Sequence, residues 1–201
     1  DKVICLEPSE GLLACDSIGY GKMVNLDIVE IACESAFLFQ AQNKYLPQDL
    51  QNIRFLVTAG PTVEDLDAAR QLTNQSSGRM GILLAQAAKL RGADVDLVHG
   101  PITVQKDFVE GLKTYPVKSS SEMEEKINEL QPICQVIVMA AAVSDFKKNN
   151  PSVQKISKEL FLSSIFDDIE MTKDLIKNQT KKKLKNQIFL GFAAETGSDD
   201  E

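Results

Sequence analysis

Downstream of residue 50, short apolar runs alternate with stretches in which apolar residues recur every three or four positions. IRFLVTAG (53–60) is apolar, β-favouring and closed by glycine, which predicts a buried strand. ILLAQAAKLRGA, from about Gly81, has helical spacing, and ADVDLVHG (93–100) predicts a second strand. Strand, helix, strand is the βαβ unit of a parallel sheet. The pattern recurs: SSSEMEEKINEL (119–130) offers serine caps and acidic residues in its first turn, so it reads as a helix. CQVIVMAAAVSDF (134–146) is then the most apolar strand of the chain, and QIFLGFAAE (187–195) a further one. Together these predict a three-layer α/β domain over 51–201, a parallel sheet with helices on both faces.

The first 40 residues differ in texture. They carry Gly11, Gly19 and Gly21, then MVNLDIVEIACESAFLFQ, which fits an amphipathic helix from about Asp27. AQNKYLPQDLQN, with Pro47 and its polar run, predicts a linker over 41–50.

Composition narrows the function. With 43% hydrophobic and 25% charged residues the chain has the material for a core, and a net charge of −7 argues against a broadly basic nucleic-acid-binding surface. No apolar run approaches the roughly 20 residues of a membrane-spanning helix, and the N-terminus lacks a signal-peptide layout. A soluble, cytoplasmic protein with no membrane partner is expected. Cys5, Cys15, Cys33 and Cys134 form no C-x-x-C pair and have only His99 beside them, which argues against zinc. They read as reduced thiols, most of them filling the core.

Open parallel sheets bind ligands beyond the carboxyl ends of their strands, and those ends here read TAGPT, HGP, AAAVSDF and GFAAET. Gly60 lets backbone approach a ligand, with Glu64 and Asp67 either nearby or simply solvated. NQSSG (74–78) precedes a helix start, so its N–H groups and hydroxyls suit a phosphate or carboxylate, or form a plain cap. Neither G-x-G-x-x-G nor a Walker loop is present, which disfavours a dinucleotide site and an oxidoreductase. Asp145 is placed to meet a base or ribose, to help hold a metal, or to cap a strand end. Lys155 and Lys158 follow Pro151, and ten of the 22 basic residues fall between Lys147 and Lys185, a local concentration suited to a triphosphate. The KKKLK at 181–185 reads as a solvated helix end.

Taken in order, TAGPTVEDLD, ARQLTNQSSGRMG, LVHGP, MAAAVSDF, QKISK and GFAAET closely resemble the phosphopantothenate-cysteine ligases over about residues 51 to 196. The resemblance implies a Rossmann-like fold and a homodimer. It implies a ligase joining 4'-phosphopantothenate to cysteine in coenzyme A biosynthesis, through an acyl-nucleotide formed from CTP or ATP with magnesium. On the same ground Lys155 stabilises the departing pyrophosphate, and Asn74 handles the acyl-nucleotide. Arg70 acts on phosphate or carboxylate, within the chain or across the dimer. Gly60, Ser76, Ser77, Gly78 and Ala142 lie near substrate. Ala141 supplies a small residue beside substrate and nucleotide, and Asp145, Lys173, Asp174, Leu175 and Phe192 contact the nucleotide. The segment TKDL departs from the N-P-D-I loop of the family. No metal ligands are assigned.

EPSEGLLACDSIGYGKM is similar to the closing substrate-binding segment of the phosphopantothenoylcysteine decarboxylases, flavin enzymes fused upstream of bacterial ligases. That likeness makes residues 1–40 a decarboxylase remnant and Cys15 its proton donor, vestigial here because FMN belongs to the missing flavin domain. Family ligases continue past GFAAET with further lysines, so a ligase domain truncated at its C-terminus is expected. The alternative function is a non-catalytic fragment that binds nucleotide or phosphopantothenate.

Overall fold

Residues 5–41 and 48–193 are described by the structure, a computed structural model. The linker predicted over 41–50 falls mostly outside them. In chain order the elements begin with β1 (Ser9–Leu12), β2 (Ile18–Lys22) and α1 (Leu26–Ala41). They continue with β3 (Arg54–Ala59), β4 (Val63–Asp67), β5 (Arg70–Thr73), α2 (Arg79–Leu90), β6 (Asp94–His99), β7 (Lys113–Pro116) and α3 (Ser120–Leu130). The remainder are β8 (Val136–Met139), β9 (Phe146–Lys148), α4 (Lys158–Ser164), β10 (Ile169–Met171), α5 (Leu175–Lys181) and β11 (Ile188–Gly191).

Side chains alternate across a strand, and β3 uses both faces. Val57 and Ala59 join Val95, Leu97 and Val138 in packing on Ile82, Ala85 and Ala88 of α2. Leu56 joins Val98, Ile137 and Met139 against Met123, Ile127 and Leu130 of α3, with Leu175 of α5. Such two-sided burial requires strands that are apolar throughout, which is why VIVM of β8 is buried at every position. The five-stranded sheet runs β11-β8-β3-β6-β7, every pair parallel. The three-layer α/β architecture expected from the pattern is present.

Helix α3 shows why its sequence folds as it does. Ser119 accepts from the Glu122 N–H at 3.2 Å, and the Glu122 carboxylate accepts from the Lys118 N–H at 2.7 Å. The buried Glu64 of β4 accepts from the Ser120 N–H at 2.7 Å, so this acid is a second cap for α3 and not a solvated loop residue.

Other expectations need correction. Helix α2 starts at Arg79, two residues before Gly81. The strand read over 134–146 ends at Met139, because the N–H groups of Ala140 and Ala141 turn to the Thr58 hydroxyl instead of continuing the ladder. Strand β7, the hairpins β4-β5 and β1-β2, and the antiparallel pair β9-β10 were not legible as strands, being short and polar. The cysteines are free thiols, but Cys5, Cys15 and Cys33 are exposed and Cys134 alone among them is buried. Three thiols lie on the N-terminal hairpin, its approach and α1, which carry little core of their own. Among the described residues no helix is long and apolar enough to cross a membrane.

Candidate functional site

The connections diverge between β3 and β8, one leading through α2 to β6 and the other arriving from α3, and such a switch point is where open α/β sheets hold ligands. Here the two strand exits stay laced together. Ala142 N–H donates to the Gly60 carbonyl at 2.9 Å and Thr62 N–H to the Ala142 carbonyl at 3.2 Å, while Pro61 and Ala142 form a parallel bridge. Beneath them the fully buried Thr58 hydroxyl accepts from Ala140 and Ala141 N–H, each at 3.1 Å, and the Thr62 hydroxyl accepts from Ser144 N–H at 2.8 Å.

The space for a ligand therefore opens beside the fork. A cavity of about 490 Å³ lies between the β8 exit, Ala141 to Asp145, and the segment Met171 to Ile176, with Asn74 and Phe192 also in its wall. Asn74 reaches it from the end of β5, its amide donating to the carbonyls of Val143 at 2.9 Å and Ala142 at 3.4 Å. The Asn74 Oδ1 has no protein partner among the described residues, which leaves an acceptor for a ligand. Asp145 is exposed. Lys173 is held by Glu124 at 2.9 Å, and Asp174 caps α5 by accepting from Lys177 N–H at 2.8 Å. Leu175 contributes its side chain to the core. Asn74, Ala141, Ala142, Asp145, Lys173, Asp174, Leu175 and Phe192 thus come together in one wall.

The remaining expected residues sort elsewhere. Gly60 and Gly78 meet backbone to backbone at the start of α2, with φ of 74° and 79°; a Cβ on Gly78 would stand 3.1 Å from the Gly60 nitrogen and 2.7 Å from Ile102. Ser76 and Ser77 accept from Gly78 and Arg79 N–H, both at 3.3 Å, so both hydroxyls serve the turn itself. None of these four residues lines the cavity. Lys155 is exposed, is not in the cavity wall, and its ammonium has no protein partner among the described residues. The basic concentration from 147 to 185 is partly neutralised within the chain: Lys147 pairs with Glu170, Lys148 donates to the carbonyls of Ser164 and Asp167, and Lys182 donates to Asn128.

Arg70 is engaged internally. Its Nη1 donates to the buried Asp67 carboxylate at 2.6 Å and to the Ile156 carbonyl at 3.1 Å, and its guanidinium lies 3.8 Å from the centre of the Phe161 ring. Burial works to raise the Asp67 pKa, but hydrogen bonds from the Ala69 and Ile156 N–H groups and from Arg70 prevail and hold it below the usual carboxylate range. Cys15 sits exposed in the β1-β2 turn with its sulfur 3.0 Å from the Ser17 hydroxyl, and hydrogen bonding to Ser17 lowers its thiol pKa. Among the described residues no three His, Cys, Asp or Glu side chains gather as a metal cage.

Residues 50–201 match the family described as the DNA/pantothenate metabolism flavoprotein C-terminal domain. The chain belongs to this family. A coenzyme A biosynthesis bifunctional protein CoaBC from Bacillus subtilis (strain 168) is 35% identical over 95% of this chain and 45% of its own length. A cysteine/cysteine sulfinic acid decarboxylase from an unknown prokaryotic organism is 37% identical over 98% of this chain and 52% of its own. The chain spans about half the length of these curated relatives. Of solved structures, the C-terminal domain of a CoaBC bifunctional protein superposes with a TM-score of 0.61 at 34% identity, covering 74% of this chain and 67% of that one. A Cab2 mutant in complex with phosphopantothenate-cysteine shares the fold, with a TM-score of 0.54 at 14% identity over 83% of this chain and 70% of its own.

In this flavoprotein C-terminal domain, the roles of Thr58, Ser144 and Thr172 were not legible in the sequence, and Asp67, expected either near a ligand or solvated, instead holds Arg70 and the Ile156 N–H. Thr172 donates its hydroxyl to the Ser144 carbonyl and its N–H to the Asp145 carbonyl at 2.8 Å, joining the two sides of the cavity. Asp67 had a signal, an acid three residues before Arg70. Thr58 and Thr172 had none, since a hydroxyl that accepts backbone N–H groups, or donates to a backbone carbonyl, looks in sequence like any polar residue near a strand end.

Proposed function

We propose that the chain is the ligase portion of a coenzyme A biosynthesis protein, joining 4'-phosphopantothenate to cysteine with CTP as cosubstrate. ATP is the other nucleotide of this chemistry; the N-terminal resemblance to a fused decarboxylase, a bacterial arrangement, favours CTP. The observation that carries the reading is the wall that collects Asn74, Ala141, Ala142, Asp145 and Phe192 at the switch point, in a chain belonging to the flavoprotein C-terminal domain family.

A carboxylate is a poor electrophile until one of its oxygens becomes part of a leaving group. In the first step a carboxylate oxygen of phosphopantothenate bonds to the α-phosphorus of the nucleotide, and the bond to pyrophosphate breaks. In the second the cysteine amine bonds to the acyl carbon, the nucleoside monophosphate leaves, and the amine proton passes to solvent. Both steps need two anions held together and charge neutralised as it develops. Asn74, anchored through its amide, presents Oδ1 to the acyl-nucleotide. Lys155, without a protein partner, meets the departing pyrophosphate, and the small side chains of Ala141 and Ala142 make room where substrate and nucleotide join. Phe192 packs on the base, and Arg70 keeps Nε and Nη2 for a phosphate or carboxylate in its own or a second chain of a homodimer. Magnesium would be held as a companion of the triphosphate by the exposed carboxylate of Asp145 in the cavity wall, a hard oxygen donor of the kind this ion takes. When bound it supplies charge neutralisation on the phosphates.

Pyrophosphate release is the test, with phosphopantothenate, magnesium and either CTP or ATP, before and after adding cysteine. Release should depend on phosphopantothenate, be faster with CTP, and fall by about 10²- to 10³-fold in Lys155→Gln, the scale of losing a charge-stabilising donor. A full-length parent that releases no pyrophosphate with either nucleotide overturns the reading.

A further inference from the structure

The segment that carries Lys155 has no sheet or long helix to hold it. From Pro151 to Ser157 it runs as an irregular loop between β9 and the short α4. Yet one residue of it is fixed at both ends of its peptide chemistry. Ile156 donates its N–H to Asp67 Oδ2 at 3.2 Å and accepts at its carbonyl from Arg70 Nη1 at 3.1 Å. The two clamping groups are themselves paired at 2.6 Å, and Asp67 has no exposed side-chain surface.

The clamp is braced on every side. Asp67 Oδ1 accepts from the Ala69 N–H at 2.7 Å, which fixes the carboxylate in the tight β4-β5 turn, and Phe161 of α4 lies under the Arg70 guanidinium. Four residues earlier, Ser152 N–H donates to the Leu66 carbonyl at 3.3 Å. The loop is therefore stapled to the β4-β5 hairpin on both sides of Lys155, while the Lys155 side chain itself stays unattached.

We propose that Asp67, acting with Arg70, is a positioning residue for Lys155: the pair holds the backbone of Ile156 so that the ammonium next to it reaches the reacting phosphates from a fixed base. This rests on the ligase reading for what Lys155 does, and on geometry alone for how it is held. A flexible lysine on a free loop would neutralise charge only after ordering its own backbone, whereas a clamped one has that entropy removed in advance. Asp67 touches neither substrate nor nucleotide and acts through its neighbour.

The test uses Asp67→Asn and Phe161→Leu in the full-length parent, each alone and combined with Lys155→Gln. Asparagine keeps the size and the Ala69 contact but removes the charge that faces Arg70 and Ile156; leucine removes the ring beneath Arg70 and leaves Asp67 intact, so one variant survives if the other folds poorly. Amide exchange at Ile156 should rise by about tenfold in Asp67→Asn, as for loss of one charge-assisted hydrogen bond. Turnover should fall by about 10- to 100-fold with KM for phosphopantothenate little changed, as for a misplaced group. On the Lys155→Gln background the same substitution should cost almost nothing more, because both act on one event. Unchanged exchange at Ile156 overturns the clamp, and additive losses with Lys155→Gln overturn the positioning role. A wild-type chain without pyrophosphate release overturns the ligase reading instead, and the exchange measurement still decides the clamp.

Discussion

At the scale of single residues, the hydroxyl of Thr58 sets where the strand β8 stops. It lies fully buried in the central strand and receives two backbone N–H groups at the point where β8 ends. Valine fills the same volume but accepts neither, so Thr58→Val should lower stability by about 1–3 kcal/mol through unsatisfied buried amides. Urea titration checks this, and a loss below a few tenths would mean that the alanine turn finds other acceptors. Cys134 shows the opposite case, a side chain whose chemistry is suppressed by its surroundings: burial, with the negative charge of Asp96 nearby, pushes its thiol up to about 12. It is core material, while Cys15, exposed and lowered by Ser17, is the thiol whose environment favours the thiolate.

At the scale of elements, the cavity wall depends on a helix of seven residues that packing alone would hold poorly. Asp174 caps α5 from the side that faces the cavity, and Asp174→Ala should cost about 1 kcal/mol and raise amide exchange at Lys177. Unchanged exchange there would show that Leu175 in the core suffices to hold the helix. Elements of this kind mark the limit of what the sequence displays. Strands β3, β6, β8 and β11 were legible because apolar runs bounded by glycine or small residues have few other uses. The hairpin β4-β5 was not, because VEDLDAARQLT carries Glu64 and Asp67 inward to cap α3 and to hold Ile156, and inward carboxylates mimic a solvated loop. The wall of the site was largely legible through its small residues and Asn74. The separate placement of Lys155 and of the Gly60–Gly78 contact was not, since it depends on how loops far apart in sequence meet.

At the scale of the whole molecule, acid is the expected weak point. Several carboxylates have depressed pKa values: Asp65 through the Lys118 ammonium, Asp168 through Asn150, Glu170 through Lys147, and Asp67 through donors that outweigh its burial. A carboxylate depressed in the folded state stabilises the fold above its unfolded pKa, about 4, and that contribution disappears as pH falls toward the folded value. The urea midpoint should hold steady from neutrality to about pH 5 and fall below it. Asp67→Asn should start lower and fall less steeply; an equally steep fall would place the acid sensitivity elsewhere.

The placement of β3 in the middle of the sheet has a consequence for how the protein is made. Arg54 at its start pairs with Asp94, 40 residues on, and bonds to Gln135, 81 residues on, so both neighbours of the central strand are synthesised after it. Ribosomes add on the order of 5–20 residues per second, and distant pairings form slowly even in a finished chain. The nascent chain therefore carries an apolar strand with one edge or both unpaired until VIVM has emerged from the ribosome. In that interval the unpaired edge is open to aggregation, a hazard that ends when β8 leaves the exit tunnel.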